Sequence, residues 1–215
     1  MSAPSVRTTV KRNAMRAVYD RERLLDVLNA QQVCFVAYVV DGEPRQIPTL
    51  YFCDEHYIYL HGNRQSALLK YMQAGGEVSI LVTLVDGTVV ARSGFHCSMN
   101  YRSVSIFGKG EEVTGEAHAA ALDGFVRALV PGHEQAVRAP TPQELAATTV
   151  VRVSLDEMSA KIRDGGPIDD TGDVDSDVWA GVIPVAMTPG TPIPADDLPA
   201  GVAMPDYIET FKYRG

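Results

Sequence analysis

The chain has 215 residues, 46% of them hydrophobic and 21% charged, with a formal net charge of −8. That suffices for one domain with a sizeable core, and the acidic balance excludes non-specific nucleic-acid binding, which needs a basic surface. There is no apolar run of ~18 residues for a membrane span and no apolar signal core, and three scattered cysteines suggest neither disulfides nor zinc, so a reducing cytoplasm is the expected compartment.

Residues 1–17 read as a basic arm carrying Arg7, Lys11, Arg12 and Arg16. Asp20 caps a helix reaching about Asn29, with Leu24, Leu25, Val27 and Leu28 as its buried stripe. Residues 32–40 are a continuous apolar run, the pattern of a strand buried on both faces. Asp41-Gly42 signals a hairpin turn. The returning strand, 45–52, contains Pro48, which lacks a ladder donor. It belongs at an edge, at a bulge or beside a ligand. A third strand, 57–61, ends at Gly62, and Ser66 opens a helix over 67–72.

Residues 77–84 form the next strand, with Asp86-Gly87 as a second hairpin turn and 88–92 as its return. A small-residue loop with His96, Cys97, Ser98 and Asn100 then leads into a strand over 101–107 that continues to about Val113. An amphipathic helix spans 116–130, Pro142 starts a short one, and 149–155 is a last long strand. Residues 164–177 read as an acidic surface loop, Trp179 to Pro184 as a strand, and 186–215 as a proline-rich extended tail. The main domain is thus 18–185. Six or seven short strands with tight turns favour a mainly β chain, a small antiparallel barrel with peripheral helices. Two-residue links are too short for the crossovers of a doubly wound sheet.

Three groups carry possible chemistry. Gly62-Asn63-Arg64-Gln65-Ser66 follows a strand and opens a helix, so free N–H groups, Arg64, Lys70 and the Ser66 hydroxyl suit an anion. The plainer alternative is that Ser66 only caps the helix and Arg64 is solvated. In Asn100-Tyr101-Arg102-Ser103, the arginine suits bidentate anion recognition or a structural ion pair. His96 is of a residue type suited to proton donation, or is structural. Hydrolase and zinc signatures are missing: there is no GxSxG, HExxH or CxxC. Asp169, Asp170, Asp173, Asp175 and Asp177 lack the EF-hand pattern.

Four stretches in this order, residues 42–51 (GEPRQIPTLY), 59–66 (YLHGNRQS), 93–110 (SGFHCSMNYRSVSIFGKG) and 179–184 (WAGVIP), resemble the FMN-binding split-barrel proteins related to pyridoxamine 5'-phosphate oxidase. The branch resembled is that of the nitroimidazole-resistance reductases. The resemblance implies a six-stranded antiparallel Greek-key split barrel and a homodimer with FMN at the interface. It implies transfer of electrons from NAD(P)H to a small acceptor. It places the flavin beside Pro48, Thr49 and Leu50 and near His61, its phosphate at the turn Gly62, Asn63, Arg64 and Ser66 with Lys70 as a further cation, and Tyr101, Arg102 and Ser103, with Asn100 before them, near the phosphate and ribityl chain. Trp179 either packs in the core or contacts the flavin or the dimer seam. The resemblance places His96 near the reactive face. Relatives often carry a basic residue where this chain has Ala67, and a second histidine where it has Cys97. A flavin carrier or sensor, or a barrel binding haem or a deazaflavin, are the alternative readings.

Overall fold

The computed structural model describes residues 2–213. In chain order the elements are β1 (Ala17–Val18), α1 (Arg21–Asn29), β2 (Val33–Val40), β3 (Glu43–Cys53), β4 (Tyr57–Asn63), α2 (Ala67–Gln73), β5 (Glu77–Val90), β6 (Ser98–Lys109) and β7 (Glu111–Val113). Then come α3 (Glu116–Leu129), α4 (Pro142–Ala147), β8 (Thr148–Ser154), β9 (Met158–Arg163), β10 (Gly181–Pro184) and α5 (Asp206–Glu209). The strands pair antiparallel in the order β1-β9-β6-β5-β2-β3-β4-β8-β7, and β10 adds to β5. This is a mainly β, curled antiparallel split barrel with peripheral helices.

Helix α1 shows why the sheet curls. It touches β3, β5, β6 and β9, which are spread along the strand order. Its Leu24, Val27 and Leu28 are buried among the inward residues of those strands, including Tyr51, Ile80, Val104 and Ile106. Asp20 caps the helix by accepting from Arg23 N. Tyr51 fixes it from the sheet, donating its hydroxyl to the Leu28 carbonyl. At the other end of the barrel Ser66 caps α2, whose Leu68, Leu69 and Met72 join the same core.

Two expectations are corrected. The 32–40 run is buried on one face only. Cys34, Val36 and Tyr38 point in, while Val33, Phe35 and Val39 are exposed, because the outer side of β2 has no covering layer in the single chain. Asp86-Gly87 is no hairpin turn but a β-bulge in one unbroken strand. Val85 opposes Tyr101 and Gly87 opposes Asn100, so Asp86 is the extra residue. β6 is long enough to pair with both halves, and β10 takes the second edge of residues 87–90. β9 carries no strong turn signal and is absent from the sequence reading. It pairs with β6 from Tyr101↔Arg163 to Ile106↔Met158.

Pro48 sits where the ladder permits it. Residues 43–50 of β3 pair with β2, but only 51–53 pair with β4, so the second edge beside Pro48 is open. Asp41-Gly42 turns β2 into β3 with positive φ at both residues, 53° and 79°. The basic arm docks on its own chain, where Arg7 pairs with Glu77 and Glu157 and lies over the Phe107 ring.

Replacing Tyr51 with Phe leaves the Leu28 carbonyl without its buried donor. The expected cost is about 1–2 kcal/mol, read as a lower denaturant midpoint with an unchanged slope.

Candidate functional site

Strand alternation sorts the candidate residues between two faces. On β6, Asn100, Val104 and Ile106 are buried, whereas Tyr101, Ser103, Ser105 and Phe107 alternate onto the outer face. On β3 and β4, Leu50, Phe52, Tyr59 and His61 share that outer face. Register brings Ser105, Leu81, Phe35 and Pro48 into one cross-strand row. Pro48, Leu50, Tyr101 and Ser103 therefore belong to one shallow, largely apolar surface. Thr49 lies opposite the buried Cys34, so it alternates toward the core.

Asn100 and Arg102 do structural work. Asn100 is buried and accepts from the Arg163 guanidinium, which also donates to the Gly165 and Gly166 carbonyls. Arg102 forms two-pronged bonds to Asp86, the bulge residue, with Nη2 to Oδ1 at 2.7 Å. That carboxylate holds the Arg102 guanidinium above its ordinary pKa. Ser103 donates to the Lys161 carbonyl across to β9.

The turn after β4 forms the rim of a polar cavity of about 510 Å³. Arg64, Gln65, Lys70, Gln73, Thr148 and Thr149 line it. Arg64 is fixed through its backbone, N–H to the Ala147 carbonyl at 3.0 Å. Asn63 accepts from Gln65 N, and Ser66 accepts from Leu69 N, so its hydroxyl serves as a cap. Lys70 reaches Gln65. Sequence reasoning missed His118, which lines the same cavity and whose Nε2–H donates to the Thr148 carbonyl at 3.0 Å. Its partner lies 30 residues away, and no spacing announces it.

Helix α3 covers the remaining part of the outer face. Phe125 packs edge-on against Phe52 and lies 4.0 Å from the His61 ring. Phe52 stacks on Tyr59. Nδ1 of His61 is buried with no partner among the described residues. Burial holds His61 below the ordinary imidazole pKa. Gly62 admits no larger residue without pressing on Leu69.

His96 sits at the far end of β5 and β6, in a short turn over Gly94–His96. Its Nε2 lies 3.2 Å from Asp170 Oδ2. The side chain of the neighbouring Asp169 is only 3% exposed, and it accepts from both the backbone and the side chain of Arg92. The acidic loop is thus tied to the turn that carries His96 rather than fully solvated. Trp179 is 64% exposed, and its ring packs on Gly181.

The family model described as pyridoxamine 5'-phosphate oxidase matches residues 20–162. The chain is 35% identical to the flavocytochrome Anf3 from Azotobacter vinelandii, over 99% of each chain, with a TM-score of 0.93. It is 34% identical to the FAD and heme binding protein from Mycobacterium smegmatis, over 92% of this chain and 98% of that one, with a TM-score of 0.89. A candidate 5-nitroimidazole antibiotic resistance protein from Bacteroides thetaiotaomicron shares the fold at 22% identity and a TM-score of 0.58, over 68% of this chain and 86% of that one. No curated protein matches.

A buried neutral histidine makes stability sensitive to acid. The unfolded chain takes up the proton first, so stability falls as pH drops through about 6.5. His61→Gln is expected to flatten that loss in urea titrations run between about pH 7 and 5.

Proposed function

The chain belongs to the pyridoxamine 5'-phosphate oxidase family, and we propose that it is a flavin-binding redox protein that also carries a haem. The observation that carries the flavin is the adjacency of two surfaces along β4. One is the outer apolar row with Phe35, Pro48 and Leu50, and the other is the polar cavity rimmed by Arg64 and Lys70. A flavin has the same two parts, an apolar ring and an anionic phosphate chain. The haem rests on the two structures similar over nearly the whole chain, one a flavocytochrome and the other an FAD and heme binding protein.

When bound, a flavin and a haem together supply hydride acceptance and single-electron transfer. The chain's own residues bind and orient. The open edge beside Pro48 leaves backbone groups of β3 for the ring, and Pro48 itself offers no donor to waste. Arg64 and Lys70 neutralise phosphate charge. His96, steadied by Asp170, is the proposed proton donor. Electrons come from a reduced nicotinamide and leave to a small oxidised acceptor. The exposed Val33, Phe35 and Val39 form an apolar stripe on an uncovered face, and a second copy of the chain is the proposed cover.

The test is an absorption spectrum of the purified protein followed by anaerobic NADPH. Flavin bands that bleach support the reductase. Bands that persist favour a carrier or another donor. Chromatography of the released flavin distinguishes FMN, which the sequence resemblance implies, from FAD. A solution mass equal to one chain with flavin bound would refute the dimer. Arg64→Ala combined with Lys70→Ala is expected to weaken flavin affinity about tenfold or more, each lost ionic contact being worth about 1 kcal/mol or more. Unchanged affinity would remove the cavity from the site.

A further inference from the structure

Between α3 and α4 lies a second cavity of about 510 Å³, and its walls differ in kind from those of the first. Leu122, Val126, Leu129, Val130 and Val137 line it, and His133 stands among them. No role in the flavin site uses this space. Its size lies within the usual range for small-molecule and cofactor sites, roughly 300–1,000 Å³. Asp123, Arg138, Pro140 and Glu144 complete the lining, so the walls are largely apolar, with three charged side chains and one imidazole, a set that can hold an apolar macrocycle bearing two propionates.

The His133 ring is held in a particular way. Its Nδ1 lies 3.1 Å from the hydroxyl of Tyr207, on the short helix α5 of the C-terminal tail. The two rings also touch, with centroids 5.9 Å apart, and Gly132 lies against the Tyr207 side chain. With Nδ1–H donated to the tyrosine oxygen, Nε2 keeps its lone pair, and it has no hydrogen-bond partner among the described residues. A ligating imidazole is held in this manner: one nitrogen is oriented by an outer partner and the other is left for the metal.

The other ring nitrogens fit less well. Nε2 of His118 is engaged by the Thr148 carbonyl, and the cavity it lines is polar. Nε2 of His96 faces Asp170. Nδ1 of His61 is buried without an orienting partner. At the mouth of the apolar cavity Arg138 is paired with Glu144. A propionate arriving there would exchange one carboxylate partner for another.

Resting on the haem reading above, we infer that His133 would hold the iron of that haem in the cavity between α3 and α4, and that Tyr207 positions this imidazole from the tail. Tyr207 lies beyond residue 162, where the match to the family model ends. A chain lacking the tail would thus lose the partner that orients this imidazole.

The experiment measures haem per chain by the pyridine haemochromogen assay, and flavin per chain by extraction, on protein expressed with haem precursor. Wild type is expected to show a Soret band. His133→Gln retains a side chain able to bond Tyr207 but is a poor iron ligand, and should lose haem at least tenfold with flavin content unchanged. His133→Gly should regain the Soret band when imidazole is added. Tyr207→Phe should keep the haem but raise its reduction potential, since the imidazole becomes a weaker donor. Full haem occupancy with an unaltered spectrum in His133→Gln overturns the assignment, as does selective loss in His118→Ala or His61→Ala. A wild-type protein that takes flavin but no haem overturns the haem reading and this inference with it, and leaves the flavin site standing.

Discussion

Each strand of the curled sheet presents alternate residues to opposite faces, and α1 fills only one of them. Leu24, Val27 and Leu28 gather inward residues of strands from β9 across to β3, so curling of the sheet around the helix is what gives the barrel its core. Burial at about 25 cal/mol per Å² makes that inner face the dominant stabilising contact. The outer face is then the remainder, apolar along β2 and β3 but uncovered except where α3 lies. An uncovered apolar face follows from that one geometric fact.

Polar groups that resemble ligand binders instead lock the sheet at its far end. The bulge at Asp86 turns a carboxylate toward Arg102, and its carbonyl accepts from Val185 where β10 leaves the sheet. Arg163 gathers Asn100 and two glycine carbonyls, and Arg92 takes the buried Asp169. The part-buried ion pairs Arg102–Asp86 and Arg92–Asp169, and the hydrogen bonds of the buried Arg163, are costly to break, because a charge left without its partners would keep its desolvation penalty. They position the turn of His96 and the start of the acidic loop.

The tail returns to the helical insertion rather than leaving the chain. Tyr207 meets His133, and Tyr213 donates to Gln31 at the end of the first helix-to-strand link. The insertion carries its own small core, with Phe125 between Phe52 and His61. Two cavities of equal size but differing polarity thus flank α3.

The sequence by itself determined most of the elements, because their signals are local. Asp20, Ser66 and Pro142 mark helix starts, Asp41-Gly42 a turn, and Pro48 an open edge. The family was legible from four short stretches, and its model matches residues 20–162. Tertiary structure alone decided the rest. Asp86-Gly87 has the composition of a hairpin turn, yet a long β6 pairs past it and makes it a bulge. The apolar run of β2 does not say whether both its faces are covered; that depends on which layers exist. Among Asn100, Tyr101, Arg102 and Ser103, strand parity separates outer-face residues from those bound to Arg163 and Asp86. His118 and His133 had no nearby partner in the sequence. Their partners, Thr148 and Tyr207, lie 30 and 74 residues away, a separation that only the folded chain closes.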